Sequence, residues 1–184
     1  APDLTAGAGV VPTAKELQST GQLAVFSFGQ GSFTATPLQI TAMMNTIAAG
    51  GTYRTPRFCC GITDADGTVT EKFQLPAPRT VCDAATAKVL RSMLQSVVED
   101  GIGYAAKPTG GTAAGKTGTA QTGQFDAAGD ELLNYWFSGF IPAGDPQYTI
   151  TVLQDGVLEP EISSAAIFAQ IAAGLQVIEQ PAPD

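Results

Sequence analysis

Gly110-Gly111-Thr112-Ala113-Ala114-Gly115-Lys116-Thr117-Gly118-Thr119-Ala120-Gln121-Thr122 admits two incompatible readings, and the choice between them decides the fold. Its opening residues, through Thr117, fit G-x-x-x-x-G-K-T, the loop whose backbone N–H groups cradle nucleotide phosphates. Such a loop works only between a buried strand and a helix. Upstream here is Tyr104-Ala105-Ala106-Lys107-Pro108, which does not read as a buried parallel strand. Downstream is Gly118-Thr119-Ala120-Gln121-Thr122-Gly123, β-branched and broken by glycine, where a helix starts poorly. Read instead as a strand over 115–122, the stretch places Lys116 and Gly118 on one face, Thr117 and Thr119 on the other. Such an edge suits a cleft wall that receives an extended, peptide-like ligand. The ammonium supplies positive charge, the hydroxyls meet a carboxylate, and Gly118 lets a ligand approach the backbone. Taken alone, the tetrapeptide favours an ordinary solvated edge strand; its surroundings reverse that preference.

Downstream, residues 134–141 and 148–153 read as two more strands joined by the turn Pro142-Ala143-Gly144-Asp145-Pro146. Three successive strands with short loops predict an antiparallel meander. Ser163 or Ser164 caps a final helix that buries Ala165, Phe168, Ile171, Ala172 and Leu175, and the tail Gln180-Pro181-Ala182-Pro183-Asp184 is expected to fray.

Upstream, Thr36-Pro37 opens a helix with Leu38, Ile40, Thr41, Met44, Ile47 and Ala48 on one face, ended by Gly50-Gly51. Asp64-Ala65-Asp66-Gly67 between residues 57–63 and 68–73 signals a hairpin. Asp83 caps a helix to about Glu99, with Ala87, Leu90, Leu94, Val97 and Val98 inward. Residues 1–22 read as loop with a helical turn near 14–18, and the short apolar stretch 23–28 is stopped by Gly29-Gln30-Gly31. Met43 and Met44 read as helix-face filler and Trp136 and Phe137 as core and cleft-wall packing. Glu99-Asp100, Glu159 and Glu161 read as solvated ends.

The 184 residues suffice for one domain, and 44% hydrophobic against 14% charged residues describes a chain that buries a core. Nine basic against seventeen acidic residues leave a net charge of −8, which argues against nucleic acid and anionic lipid as partners. No histidine is present, so Ser-His and Cys-His nucleophile pairs and most zinc chemistry are excluded. Catalysis must use lysine, carboxylates, hydroxyls or backbone groups. Cys59, Cys60 and Cys82 leave two alternatives open: a bridge from Cys82 to one of the adjacent pair, or inert thiols. The first residues, Ala1-Pro2-Asp3-Leu4-Thr5, carry no signal-peptide pattern, and the start without Met hints at a processed or truncated product.

Several segments, in order, resemble the transpeptidase domain of class B penicillin-binding proteins. They are Phe28-Gly29-Gln30-Gly31, Thr36-Pro37-Leu38-Gln39, Ile47-Ala48-Ala49-Gly50-Gly51 with Pro56-Arg57, the 64–67 hairpin, Val97-Val98-Glu99-Asp100-Gly101, Gly115-Lys116-Thr117-Gly118-Thr119-Ala120-Gln121 and Trp136-Phe137-Ser138-Gly139-Phe140. The likeness covers about residues 23–178, and K-T-G is one of that family's motifs. It implies an α/β fold of the α+β type: a three-stranded antiparallel sheet with packing helices, part of the serine transpeptidase/β-lactamase-like fold. Residues 1–184 would be the C-terminal part of that domain, with a small hairpin insertion near 52–82.

The family's nucleophile lies in S-x-x-K and a second motif is S-x-N; no serine of this sequence has Lys three positions on or Asn two positions on. The resemblance therefore implies a piece of a peptidoglycan D,D-transpeptidase, inactive by itself, with no metal or other cofactor. Lys116 would place charge beside the missing serine. Thr117, Gly118, Thr119 and Gln121 would meet substrate, and the Thr119 N–H would be one oxyanion donor. The implied partners are the D-Ala-D-Ala end of a stem peptide, β-lactams, the N-terminal remainder of the same protein and, through an exposed edge, a second copy. The implied place is the outer face of a bacterial plasma membrane, held by an N-terminal anchor. A non-catalytic peptide-binding or sensor module, and a β-lactamase or D,D-carboxypeptidase relative, are the alternatives.

Overall fold

Alternation of side chains along three strands builds the centre of the structure, a computed structural model that describes residues 7–179. The sheet order is β5 (Ala114–Phe125), β6 (Glu131–Ile141), β7 (Tyr148–Val157), all antiparallel, as the meander pattern predicts. Each strand runs beyond its expected limits, and β5 and β6 form a long ribbon that shifts register at a bulge between Gln121 and Gln124. The cross-strand pairs Lys116–Ser138, Thr117–Phe137 and Gly118–Trp136 fix which side chains share a face.

One face is dry. Phe137 and Ile141 of β6 pack with Ala165, Phe168 and Ala172 of α4 (Ser164–Glu179), closed by Val98, Ala106 and Ala113. The Phe137 and Phe168 rings sit 4.7 Å apart. Ser163 caps α4, with its hydroxyl accepting the Ala166 N–H at 3.2 Å. Ile171, expected on the buried side, is 42% exposed. Ala165, Phe168, Ala172 and Leu175 already complete the i, i+3, i+4 stripe toward the sheet, and Ile171 lies beside it. The tail 180–184 lies outside the described residues.

The opposite face receives α2 (Pro37–Ala48), where Met44, Ile47 and Ala48 pack on Ala114, Phe140 and Ala143. Thr36 and Gln39 form the reciprocal cap expected of Thr-Pro at a helix start. Met44 is buried, whereas Met43 is 52% exposed and fills nothing. α3 (Ala84–Glu99) contributes Val98 to the dry core and Leu94 to the α2 core. Asp83 caps it by accepting the Thr86 N–H at 2.6 Å. Arg91 donates to the carbonyls of Ala143 at 3.2 Å and of Gly144, tying the β6–β7 turn to α3.

Two corrections concern short elements. Part of the span read as loop is helical: α1 (Thr20–Ser27) starts at Ser19, whose hydroxyl and Gln22 make a capping box. Ser-x-x-Gln ahead of an apolar run is the signature that reveals it. The hairpin strands are shorter than expected, β2 (Gly61–Thr63) and β3 (Val69–Lys72), because Asp64 already turns the chain by accepting the N–H groups of Asp66 and Thr68. A second small pair, β1 (Thr52–Tyr53) with β4 (Arg79–Thr80), closes the arm at its base. The thiols of Cys59 and Cys60 are exposed, that of Cys82 is half-buried, and all three are free.

Candidate active site on the edge of the sheet

Lys116, Thr117, Gly118 and Thr119 lie on β5, which among the described residues has a sheet neighbour on one side only. Gly115 explains how the strand reaches that edge in register. A Cβ there would meet the Phe137 ring at 2.6 Å and the Ser138 carbonyl at 2.7 Å, so only glycine lets β5 and β6 close over the aromatic core. Gly118 faces Trp136 with ordinary room for a methyl group, 3.5 Å from the Trp136 Cβ. Its missing side chain leaves the surface over Trp136 low.

The backbone N–H and C=O of one residue in an antiparallel strand point to the same side, and sides alternate. The Thr119 carbonyl accepts from outside the sheet, taking the Gln30 side-chain N–H at 3.2 Å. Thr117, two residues away, shares that outward direction. The Lys116 ammonium bends round the edge and donates to the Thr117 carbonyl at 3.0 Å and approaches the Thr117 hydroxyl at 3.4 Å. The expected separation of Lys116 from the threonines by face holds for the backbone, but the long lysine stem carries the charge to the threonine edge. The structure thus gathers Lys116, Thr117 and Thr119 on one open edge, with Lys116 and Thr119 exposed.

Gln121 is placed differently. Its side chain donates to Glu131 at 2.9 Å, and the other Glu131 oxygen accepts the Gly123 N–H at 3.1 Å. Gln121 therefore braces the bulge of the β5–β6 ribbon. Beneath the lysine, on the α2 side, the Ser138 hydroxyl lies 2.7 Å from that of Thr151, which lies 2.8 Å from that of Thr41. Thr149 donates to Asn45 at 3.2 Å. Sequence reasoning did not single out Ser138, Thr151, Glu131 or Gln30 as site residues. Ser138 and Thr151 carry a visible signal, small hydroxyls within the largely apolar runs 135–141 and 148–153. Gln30 is 89 residues from its partner and carries no local one.

A cavity of about 330 Å³ beside α1 reaches Gln30 and Gly31 from the side of Glu16, Leu17 and Val25. A second, of about 250 Å³, is lined by Leu38, Thr41, Asn45, Arg54 and Thr149. Among the described residues no cluster of His, Cys, Asp or Glu is arranged to hold a metal ion, and no helix is long and apolar enough to cross a membrane.

An antiparallel sheet with helices on both faces and a Lys-Thr-Gly edge strand defines part of the serine transpeptidase/β-lactamase fold. Residues 5–173 match the family model for the penicillin-binding protein transpeptidase domain, and the chain belongs to that family, in its class B branch. Penicillin-binding protein PbpB of Mycolicibacterium smegmatis is 38% identical over 163 residues, 80% of this chain and 24% of that protein. Stage V sporulation protein D of Bacillus subtilis is 36% identical over 72% of this chain and 20% of its own length. The crystal structure of penicillin-binding protein 3 from Mycobacterium tuberculosis superposes with a TM-score of 0.80 at 33% identity, covering 94% of this chain and 41% of that one. The same protein has been crystallised with aztreonam and with ampicillin, so β-lactam binding is a property of the family. This chain spans about a quarter of the length of these curated relatives.

Proposed function

We propose that this chain forms the substrate-side wall of a peptidoglycan D,D-transpeptidase, and that the acylated serine comes from residues outside these 184. The open edge of β5, with Lys116 and Thr119 exposed on it, carries the reading. An extended stem peptide lies along that edge as an added strand. Lys116 supplies positive charge beside the nucleophile, and the Thr117 and Thr119 hydroxyls receive the terminal carboxylate. The Thr119 N–H shares the outward direction of its carbonyl, so it is aimed at a carbonyl oxygen that gains charge. Gly118 keeps the strand surface low enough for the ligand to reach it. Gln121 acts on substrate through the ribbon it braces.

The serine hydroxyl adds to the penultimate D-Ala carbonyl, the peptide bond breaks, and terminal D-Ala leaves with the proton. An amine of a neighbouring stem peptide then takes the acyl group and frees the serine. A β-lactam acylates the same serine by opening its ring amide, and the opened ring stays attached. The reaction belongs at the outer face of the plasma membrane, where peptidoglycan lies, with an anchor outside these residues. Until the remainder of the domain covers it, the β5 edge is also a surface through which two copies pair.

A fluorescent penicillin should label the complete domain and leave the 184-residue chain unlabelled. Lys116→Ala in the complete domain should slow acylation by about 100-fold or more, the order lost with one preorganised electrostatic group. Labelling of the short chain, or an unaffected Lys116→Ala domain, would overturn the assignment. Donor and acceptor peptides together distinguish transfer from hydrolysis, and hydrolysis alone would make the protein a carboxypeptidase.

A further inference from the structure

We propose that Gln30 determines ligand specificity at the β5 edge, by holding the Thr119 carbonyl that an incoming amide N–H must take; this rests on the transpeptidase reading. The turn that carries Gln30 is fixed on both sides. Gly29 and Gly31 have φ of 81° and 83°, conformations that other residues adopt only with strain. The Gln30 N–H donates to the Val25 carbonyl at 3.1 Å and that of Gly29 to Phe26 at 3.0 Å, closing the end of α1. Phe26 stacks edge-on against Phe33 beyond the turn, with centroids 6.1 Å apart. Gln30 is half-buried in this frame, and its amide spans the gap to Thr119.

The consequence is an asymmetry on one residue. The Thr119 carbonyl is engaged at 3.2 Å, while the Thr119 N–H points outward from the same edge. A ligand that only places an oxygen on the Thr119 N–H leaves Gln30 undisturbed. A ligand that also donates an N–H to the Thr119 carbonyl, as an added strand does, must displace Gln30 or share the oxygen's second lone pair. Gln30 thus penalises ligands with an exocyclic amide N–H at this position relative to ligands without one.

The test measures acylation rate constants of the complete domain with ampicillin, which carries an exocyclic amide N–H, and with imipenem, which does not. Gln30→Ala and Gln30→Glu both remove the donor, and the second keeps the shape. In both, the ampicillin-to-imipenem ratio should rise about threefold to tenfold, the range of one neutral hydrogen bond. Because each variant supplies its own ratio, a loss of folded protein cancels. An unchanged ratio with normal acylation overturns the role of Gln30 and leaves the transpeptidase reading standing. A fallen ratio overturns it too, since Gln30 would then be holding the ligand itself. Absence of acylation in the unsubstituted domain overturns both.

Discussion

The two faces of the β5–β7 sheet are made by alternate residues of the same strands, yet they hold together by different physics. On the α4 side Phe137, Ile141, Phe168 and Ala172 are at most 2% exposed and cluster with Val98, Ala106, Ala113 and Ala165. On the α2 side the Ser138 hydroxyl meets that of its cross-strand partner Thr151, which in turn meets Thr41 of the helix. The apolar part of that face, around Met44 and Phe140, lies toward the Ala114 end of β5. Lys116 and Gly118 open on the polar side. The dry face sets where β6 lies, and the hydroxyl face lets a charged, hydrated edge sit beside it without an abrupt change from apolar core to water.

Removing the centre of the dry face should have the largest effect. Phe137→Ala should lower unfolding free energy by about 3–5 kcal/mol, measured by urea unfolding of the domain, because a ring that touches Phe168 and supports Gly115 leaves a cavity. An effect near that of a surface substitution would show that the two faces do not differ as described. Gly115→Ala should cost about 1–3 kcal/mol by overpacking the same ring, and should impair penicillin labelling more than Phe137→Leu of equal stability, since it displaces β5 itself.

The hydroxyl face responds to chemistry rather than volume. Thr151→Val keeps the shape and removes the middle hydroxyl, stranding the Ser138 oxygen, 4% exposed as a residue. The expected loss is about 1–2 kcal/mol. Thr151→Val combined with Ser138→Ala should recover part of it, because no buried hydroxyl is then left without a partner. A double variant that is less stable than the single one by the full cost of a second lost bond would mean the seam is held by packing.

Most of this division is written in local pattern. Thr36-Pro37, Asp83 and the Asp64–Gly67 turn announce their elements through chemistry within four residues, and all three hold. Successive strand-like runs joined by the short turn 142–146 reveal the meander, and the failed context of G-x-x-x-x-G-K-T excludes a phosphate loop. What stayed illegible depends on distance. The start of α1 was missed because the capping signature Ser19-x-x-Gln22 lies inside a Gly- and Pro-rich stretch. Lys116 curls onto the threonine edge through rotamers that alternation does not describe. Gln121 turns to Glu131 only because a bulge brings it there, and Gln30 reaches Thr119 only through the folded turn.

The smallest effect tests what the two faces share. α3 packs Val98 into one cluster and Leu94 into the other, so its cap should act on both alike. Asp83 is held below the ordinary aspartate value of 3.8, chiefly by the Thr86 backbone N–H, with its side chain adding to it. A carboxyl with a depressed folded pKa contributes stability above its unfolded pKa, and loses it as pH falls through the folded value. Asp83→Ala should therefore melt about 2–5 °C below the unsubstituted domain at pH 7. That gap should narrow once the pH drops below 3.8, as the wild-type carboxylate takes up its proton. Asp83→Asn, a cap without a titrating group, should melt near wild type at pH 7 and show no such narrowing against Asp83→Ala. A gap for Asp83→Ala that persists unchanged to pH 2 would mean that shape, not charge, starts α3.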